Sequence, residues 1–156
     1  MKTRYTARAV IVDDKNNVAI LSVQSGRYYK IPGGEIEDGE TAVQAIIRES
    51  REEAGCEIEI FDLIGESEFV GAYSEKEEKF TDHSICYLAK STGSKSVPRF
   101  TQIEQSRKFA LRWTTFDDAL GLFTNAKPSE DIEIQINKRD LAFIKQAKEI
   151  LDCSGP

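Results

Sequence analysis

Apolar and polar positions alternate almost from the first residue, and this period of two predicts a β-strand over residues 3–12 with apolar side chains on both faces. A polar turn and a second apolar run predict another strand over 18–23, which would pair with the first as a hairpin. A third, short strand is predicted over 28–31, and it ends where Pro32 and two glycines interrupt regular structure. The N-terminal part of the chain is therefore expected to be a sheet.

The next periodic segment has the spacing of an α-helix. It is predicted to run from Thr41 to Ala54 and to stop at Gly55, a residue type that favours the left-handed conformation found at helix C-termini. Successive helical residues are about 100° apart. One side of this helix then collects four small or apolar residues, which we expect to be its buried stripe: Val43, Ile47, Ser50 and Ala54.

The remainder of the chain mixes strands and helices, without an internal repeat or a linker. In order, its predicted elements are strands over 57–68, 83–89 and 109–113, a short helix over 115–122 and an amphipathic helix over 139–151. The segment 125–133 is expected to be a loop. Elements in this order predict a single α/β (α+β) domain over residues 1–153, with a mixed sheet covered by helices.

Composition and charge limit the classes of partner. The 156 residues are 40% apolar and 31% charged, which is ordinary for one globular domain. No apolar run approaches the roughly 20 residues that span a bilayer. The N-terminus lacks the apolar core of a signal peptide, so we expect a cytoplasmic protein with no membrane partner. A net charge of −6, without clustered Lys or Arg, argues against a nucleic-acid duplex as partner.

Cysteine and histidine contribute little chemistry to this sequence. Three scattered cysteines, the lack of a CxxC pair and a single histidine argue against a structural zinc site and against a disulfide framework. Cys56 and Cys86 are expected to be small buried residues, because a free buried cysteine behaves as a small apolar side chain. His83 is expected to be structural or exposed.

Acidic residues are concentrated on the predicted helix. Glu52, Glu49 and Glu53 lie at about 180°, 240° and 280° on the helical wheel, so they are expected to share a face separate from the buried stripe. Like charges four residues apart repel each other and weaken a helix. A hard divalent cation would remove this repulsion, because such cations prefer oxygen ligands and are often shared between carboxylates and substrate phosphates. The preceding Gly33 lets a ligand approach the backbone closely.

The spacing of these residues carries a family resemblance. The sequence from Gly34 to Cys56 resembles the Nudix box at each of its invariant glycine and polar positions: Gly34, Glu40, Arg48, Glu49, Glu52, Glu53 and Gly55. Ser50 departs from the aliphatic residue that is usual there, and we expect it to affect packing. By this resemblance the chain is identified as a member of the Nudix hydrolase family, which implies an α/β/α sandwich with a central mixed β-sheet.

The resemblance also implies a reaction. The family hydrolyses the pyrophosphate linkage of a nucleoside diphosphate linked to another moiety, as in a nucleoside triphosphate, a dinucleoside polyphosphate or a nucleotide sugar. Mg²⁺ or Mn²⁺ would be bound by Glu49, Glu52 and Glu53, with the carbonyl of Gly33 as a further ligand. Glu49 and Glu53 are both candidates for the general base. Arg48 would hold a glutamate in place through a charge-assisted hydrogen bond.

Further acids are expected near the box. Some family members supply an additional catalytic acid from a loop late in the chain, and Glu104 is the nearest candidate here, with Glu77 and Glu78 as others. Glu40 would support the loop before the helix, or it would contact one of the residues that bind the metal without binding the metal itself.

The substrate, a small-molecule nucleotide, is expected to contact residues outside the box. Tyr29 and Tyr73 are aromatic residues that could clamp a base, while Arg27 and Lys30 precede the glycines and could meet phosphate oxygens. A homodimer is left open. The alternative function is a non-catalytic Nudix-like module that binds or senses a nucleotide. Such modules usually lack a box acid, and this sequence lacks none.

Overall fold

The computed structural model describes residues 1–153, in which seven strands form one sheet with four helices around it. The strands are β1 (Lys2–Val12), β2 (Val18–Val23), β3 (Tyr28–Lys30), β4 (Gly33–Glu35), β5 (Glu57–Gly71), β6 (Phe80–Thr92) and β7 (Ala110–Thr114). The helices are α1 (Ala42–Ala54), α2 (Gln102–Ser106), α3 (Phe116–Asn125) and α4 (Asp131–Cys153). Within these residues no helix has both the length and the apolar character needed to cross a membrane.

The central strand of the sheet is β1. It runs parallel to β6 in unbroken register and antiparallel to β2 and β4, which confirms the predicted hairpin and the predicted mixed sheet. The main strand order is β3-β2-β1-β6-β5, and β7 pairs with β2. Because β4 also pairs with β1, the glycine segment lies against the middle of the sheet, with Gly33 opposite Arg8.

Helices cover both faces of the sheet, as expected for an α/β/α sandwich. On one face Ala7, Ala9 and Ile11 belong to an apolar cluster with residues of α1. On the other face Val10 belongs to a second cluster, which includes Phe123 of α3 and residues of α4. Full burial of an aliphatic or aromatic side chain contributes roughly 1.5–3 kcal/mol. The alternation of β1 therefore assigns its two faces correctly, and each face stabilises one helical layer.

The ends of α1 follow from its local sequence. Thr41 is the N-cap, since its Oγ1 accepts a hydrogen bond from the Gln44 N–H at 3.1 Å and its own N–H donates to Gln44 Oε1 at 2.9 Å. Gly55 ends the helix in the left-handed conformation, with φ of 61°. Both boundaries agree with the prediction.

The predicted buried stripe of α1 is confirmed for Ser50 and Ala54 and wrong for Val43 and Ile47. Val43 is 40% exposed and Ile47 is only partly buried, whereas the buried residues are Ala45, Ile46, Glu49, Ser50, Glu53 and Ala54. The glutamates Glu49 and Glu53 therefore lie within the buried face and not on a separate one. The prediction assumed that carboxylates avoid burial, and here a backbone N–H and an arginine offset part of that cost. Ser50 is satisfied within the helix, where its hydroxyl donates to the Ile46 carbonyl at 2.6 Å.

Two elements are missing from the prediction. The glycines after Pro32 do not simply break the chain, because β1 offers them backbone partners and β4 forms there. The short helix α2 begins at a capping box, in which Thr101 and Glu104 each accept a backbone N–H of the other, at 3.2 and 2.9 Å. This motif is readable in the sequence and could have predicted the helix.

The last helix is longer than predicted. α4 begins at Asp131 instead of residue 139, so the loop before it is shorter than the predicted 125–133 segment. The carboxylate of Glu133 explains this start, because it accepts the N–H groups of Ser129 and Glu130 at 3.2 and 3.4 Å and so satisfies the exposed end of the helix.

The cysteine and histidine predictions are confirmed for the residues that they name. Cys56 and Cys86 are buried. His83 lies at the surface of β6, where its two ring nitrogens are 3.1 and 3.2 Å from the carboxylates of Glu66 and Glu68 on β5.

Candidate active site

Carboxylates from two helices hold the turn between β3 and β4. The Ile31 N–H donates to Asp140 Oδ2 of α4 at 3.0 Å, and the Gly33 N–H donates to Glu53 Oε1 of α1 at 2.8 Å. The Pro32 carbonyl between them accepts the Ala9 N–H at 3.1 Å. Because buried backbone groups need partners, these three bonds place the turn between the two helical layers.

The two glycines of the turn make room for two charged side chains. A Cβ at Gly33 would overlap the Ala7 carbonyl oxygen and lie 2.6 Å from Cδ of Arg8. A Cβ at Gly34 would lie 2.5 Å from Glu49 Oε1. The first glycine therefore lets Arg8 pass beneath the turn, and the second lets Glu49 reach the backbone.

Glu53 is the most deeply buried acid of α1, with no exposed surface. Its Oε1 accepts the Gly33 N–H, whereas its Oε2 has no N–H donor within residues 1–153, and the carboxyl lies within hydrogen-bonding range of the Glu104 carboxyl. Burial raises the pKa of Glu53 well above its ordinary value; Lys30 opposes the shift and Glu104 adds to it. Such an unpaired buried acceptor is uncommon in folded proteins and calls for a ligand or a chemical role.

Arg48 links the other acids of the box. Its Nε and Nη2 donate to the two carboxylate oxygens of Glu40 at 2.7 and 3.0 Å, and its Nη1 donates to Glu49 Oε1 at 2.8 Å. Glu52 is farther away, with its carboxylate 3.7 Å from Nη1. The hydrogen bonds from Arg48 lower the pKa of Glu40 to about 2. Burial raises the pKa of Glu49 although Arg48 opposes the shift.

Glu40→Gln is expected to remove part of the acid sensitivity of the fold. A carboxyl whose pKa falls from 4.5 to about 2 on folding stabilises the protein above pH 4.5, and this stabilisation is lost as the pH falls toward 2. The melting temperatures of wild type and Glu40→Gln, measured in EDTA by circular dichroism, should therefore differ most near neutral pH and converge at about pH 2. Glu59→Gln, on exposed β5, is the control and should follow wild type. A difference that stays constant across the pH range would contradict this account.

The box glutamates offer the oxygen donors that a hard divalent cation prefers. Within residues 1–153 no three Asp, Glu, His or Cys side chains are already arranged as a metal site, since Arg48 draws Glu49 and Glu52 toward itself. The unpartnered Oε2 of Glu53 is nevertheless an acceptor without a donor. The donor chemistry of the site therefore fits a cation.

A later segment of the chain brings a fourth acid to α1. The Ser96 and Arg99 N–H groups donate to the carbonyls of Gly55 and Glu52 at 2.6 and 2.7 Å, so this segment is fastened to the C-terminal end of α1. It continues into α2, where Glu104 lies close to Glu53. Burial raises the pKa of Glu104, but the interaction with Glu53 and the Thr101 N–H outweigh it, so the pKa is lowered overall. The structure thus brings together the box and the predicted additional acid.

A cavity of about 400 Å³ opens beside these acids. Gly33, Gly34 and Glu49 line one side of it, and Glu104 lines another. Its lining also includes five cationic residues, three further acids and three aromatic residues: Arg4, Arg8, Lys30, Arg107 and Arg139; Glu35, Glu37 and Asp82; Tyr28, Tyr73 and Phe109. A smaller cavity of about 200 Å³ adjoins it and shares Tyr28, Tyr73, Arg107, Ile132 and Ile136. Cationic and aromatic groups together suit a ligand with phosphates and a flat ring.

The three residues predicted to contact substrate lie in different places. Tyr73 lines both cavities, stacks on Phe80 at 5.3 Å between ring centroids and accepts a hydrogen bond from Arg4. Arg27 lines only the smaller cavity, where it pairs with Glu133. Tyr29 packs in the core against Phe123 and lines neither of these cavities, but it lines a separate cavity of about 400 Å³ together with Arg112 and residues of α3.

Three charged residues near the cavity were not predicted from the sequence as parts of the site: Arg8 on β1, and Arg139 and Asp140 on α4. Arg8 was readable as an anomaly, because it is a charged residue on the same side of β1 as Val10, which is apolar and buried. Arg139 and Asp140 carried no such signal, since charged residues are usual on an amphipathic helix. Both are buried, and Arg139 Nε donates to Asp140 Oδ1 at 2.7 Å.

The chain is similar to known proteins in sequence and in fold. The family model described as "NUDIX domain" matches residues 2–134. The 8-oxo-dGTP diphosphatase of Proteus vulgaris is 41% identical over 61 residues, which are 36% of this chain and 54% of that protein. The match therefore spans about half the length of this relative.

Solved structures share the fold. A NUDIX hydrolase from Nitrosomonas europaea superimposes with a TM-score of 0.67 at 20% identity, covering 99% of this chain and 97% of that one. A UDP-X diphosphatase gives a TM-score of 0.60 at 18% identity, covering 96% of this chain and 64% of that one. With a family model that matches most of its length and a sheet, turn and box helix arranged as described, this chain belongs to the Nudix hydrolase family.

Proposed function

We propose that this chain hydrolyses the pyrophosphate linkage of a nucleoside diphosphate linked to another moiety. Among such compounds, we propose nucleoside triphosphates as the preferred substrates. The observation that carries the proposal is the meeting of Glu49 and Glu53 with Gly33 and Gly34 beside a cavity that is lined by five cationic and five acidic residues. Phosphoryl transfer needs mainly positioning and charge neutralisation, and this arrangement offers groups for both.

Nudix enzymes generally use divalent metal cations, and we propose Mg²⁺ or Mn²⁺ here. Glu49, Glu52 and Glu53 would hold the cation through carboxylate oxygens, with the Gly33 carbonyl as a further ligand. The bound cation would neutralise charge on the phosphoryl oxygens. Arg48 would orient Glu49, to which it donates at 2.8 Å, and Glu40 would in turn hold Arg48.

One of these carboxylates, Glu49 or Glu53, would accept the proton of the attacking water instead of binding the cation. Burial raises the pKa of both carboxyls, and a higher pKa makes a carboxylate a stronger base toward the attacking water. Glu104 would add a further acid beside Glu53. The aromatic rings of Tyr28 and Tyr73, in the part of the cavity shared with its smaller neighbour, are proposed to seat the base.

A substrate panel is expected to show metal-dependent release of pyrophosphate from at least one nucleoside triphosphate. The panel contains the ordinary triphosphates, 8-oxo-dGTP, dinucleoside polyphosphates, nucleotide sugars and ADP-ribose, each with Mg²⁺, with Mn²⁺ and with EDTA. We include 8-oxo-dGTP because the Proteus relative is an 8-oxo-dGTP diphosphatase. Products are separated by ion-exchange chromatography. Saturable binding of nucleotides with no cleavage of any compound would instead support the non-catalytic module.

A further inference from the structure

Arg8 is a buried cation without a partner. It is 4% exposed on β1, and its Nε and Nη1 donate no hydrogen bond to any of residues 1–153. Arg139, a similarly buried arginine nearby, is fully engaged: its guanidinium donates to Asp82 at 3.2 Å and to Asp140 at 2.7 Å. Arg8 forms no ion pair with either acid or with any other group in the described part of the chain. Asp82, Asp140 and Glu53 act on Arg8 electrostatically, but none of them accepts a hydrogen bond from its Nε or Nη1. Unpaired buried donors carry a desolvation cost, so these two donors call for an acceptor from outside the protein.

The surroundings of Arg8 point to an anionic ligand. Arg8 lines the larger cavity together with Lys30, Gly33 and Gly34. Its side chain passes the Cα of Gly33 at a place where any other residue would block it. The positive charge of Arg139 acts on Arg8, and that of Arg8 acts on Lys30, while Glu53 and Asp140 act on both in the opposite sense. An anion in the cavity beside Arg8 and Lys30 would accept the free hydrogen-bond donors of Arg8 and reduce the repulsion between the two cations.

We propose that Arg8, with Lys30, forms an anion subsite that binds one phosphoryl group of the substrate. The guanidinium presents several N–H donors in one plane, which matches the oxygens of a phosphoryl group, and Lys30 adds a point charge. The subsite deepens the proposed function, since it places the phosphate chain beside Glu49 and the glycines. It requires no metal, because its donors belong to the protein.

Binding of inorganic pyrophosphate in EDTA tests the subsite apart from catalysis. In isothermal titration calorimetry, Arg8→Met is expected to weaken pyrophosphate binding by roughly 10- to 100-fold, the loss that follows from removing a charge-assisted contact. Arg8→Lys should bind with intermediate strength, because it keeps the charge and loses the planar donors. Arg112→Met, an exposed arginine on β7 outside both cavities, is the matched control and should bind as wild type does.

Thermal unfolding separates this role from a structural one. If Arg8 serves a ligand, Arg8→Met should melt at the wild-type temperature or above it, because an unpaired buried charge has been removed. A lower melting temperature that Arg8→Lys restores would overturn the proposal, as would equal pyrophosphate binding by wild type and Arg8→Met, or no binding by wild type. Wild-type pyrophosphate binding without hydrolysis of any nucleotide would instead count against the proposed function and leave the subsite standing.

Discussion

Glu53→Gln is expected to lower kcat by roughly 10²–10⁴-fold while the fold stays intact. Glutamine keeps a carbonyl oxygen, so it can still accept the Gly33 N–H that Glu53 Oε1 accepts at 2.8 Å. It lacks the negative charge, and its amide nitrogen puts donors where the unpartnered acceptor Oε2 lies. The substitution therefore removes the proposed chemistry and preserves the main structural contact of the side chain.

The same variant should be at least as stable as wild type near neutral pH. Because burial raises the pKa of Glu53 well above its ordinary value, the folded state favours the protonated carboxyl. The ionised carboxylate therefore opposes folding increasingly as the pH rises above the pKa of the unfolded chain, and glutamine avoids this cost. Loss of activity together with unchanged or increased stability is the usual pattern for a functional residue that is costly to bury.

Initial rates with the best substrate, the affinity for Mg²⁺ or Mn²⁺ by calorimetry, and the melting temperature measure these effects. Glu59→Gln on β5 is the matched control and should retain all three. Glu49→Gln, tested alongside, separates the roles of the two acids: the general-base variant loses kcat and keeps its metal affinity, whereas the ligand variant loses both. Unchanged kcat in Glu53→Gln would contradict the proposed metal site.

Gly55→Ala is expected to destabilise the protein by roughly 2–5 kcal/mol, the sum of a left-handed alanine and an overpacked contact. The φ of Gly55 is 61°, and a Cβ there would overlap the backbone carbonyl oxygen of Ser96. Backbone cannot turn away as a flexible side chain can, so either α1 or the segment fastened to it must shift. Natural domains are stable by only about 5–15 kcal/mol, so this loss is a large part of the total.

The expected effect of Gly55→Ala extends to activity. The segment that Ser96 fastens to α1 leads to Glu104, so a shift there would move the additional acid away from Glu53. Urea unfolding gives the change in stability, and kcat of the folded fraction gives the effect on the site. Gly93→Ala is the matched control: its φ of 68° is similar, but nothing lies within 4 Å of the added Cβ. Equal losses in the two variants would show that backbone strain alone is responsible.

Features of the site that depend only on residues close together in the chain were predictable from the sequence. The ends of α1 follow from a capping box four residues long and from a glycine that adopts positive φ without strain. The two faces of β1 follow from the alternation of side chains along a strand. The order of glycines, arginine and glutamates from Gly34 to Gly55 indicates the family from the sequence alone.

The direction in which α1 faces was not predictable in this way. A helical wheel gives the angles between Glu49, Glu53 and Val43, but it does not say which of them points to the sheet. Glu53 can be buried because a Gly33 N–H from 20 residues earlier meets it and Lys30 lies near it. Without such partners a buried carboxylate would cost too much, so a pattern of apolar residues assigned it to the surface.

The same limit applies to residues that meet across long distances in the chain. Glu104 reaches Glu53 because the segment before it is hydrogen-bonded to the end of α1, and Arg8 enters the cavity because Gly33 leaves space for it. Periodicity and capping motifs report only interactions within a few residues, and they determine the elements, their ends and the box. The cavity, its charged residues and the presence of Tyr73 but not Tyr29 in its lining depend on packing between elements, where desolvation and steric fit are decided by partners that are remote in sequence.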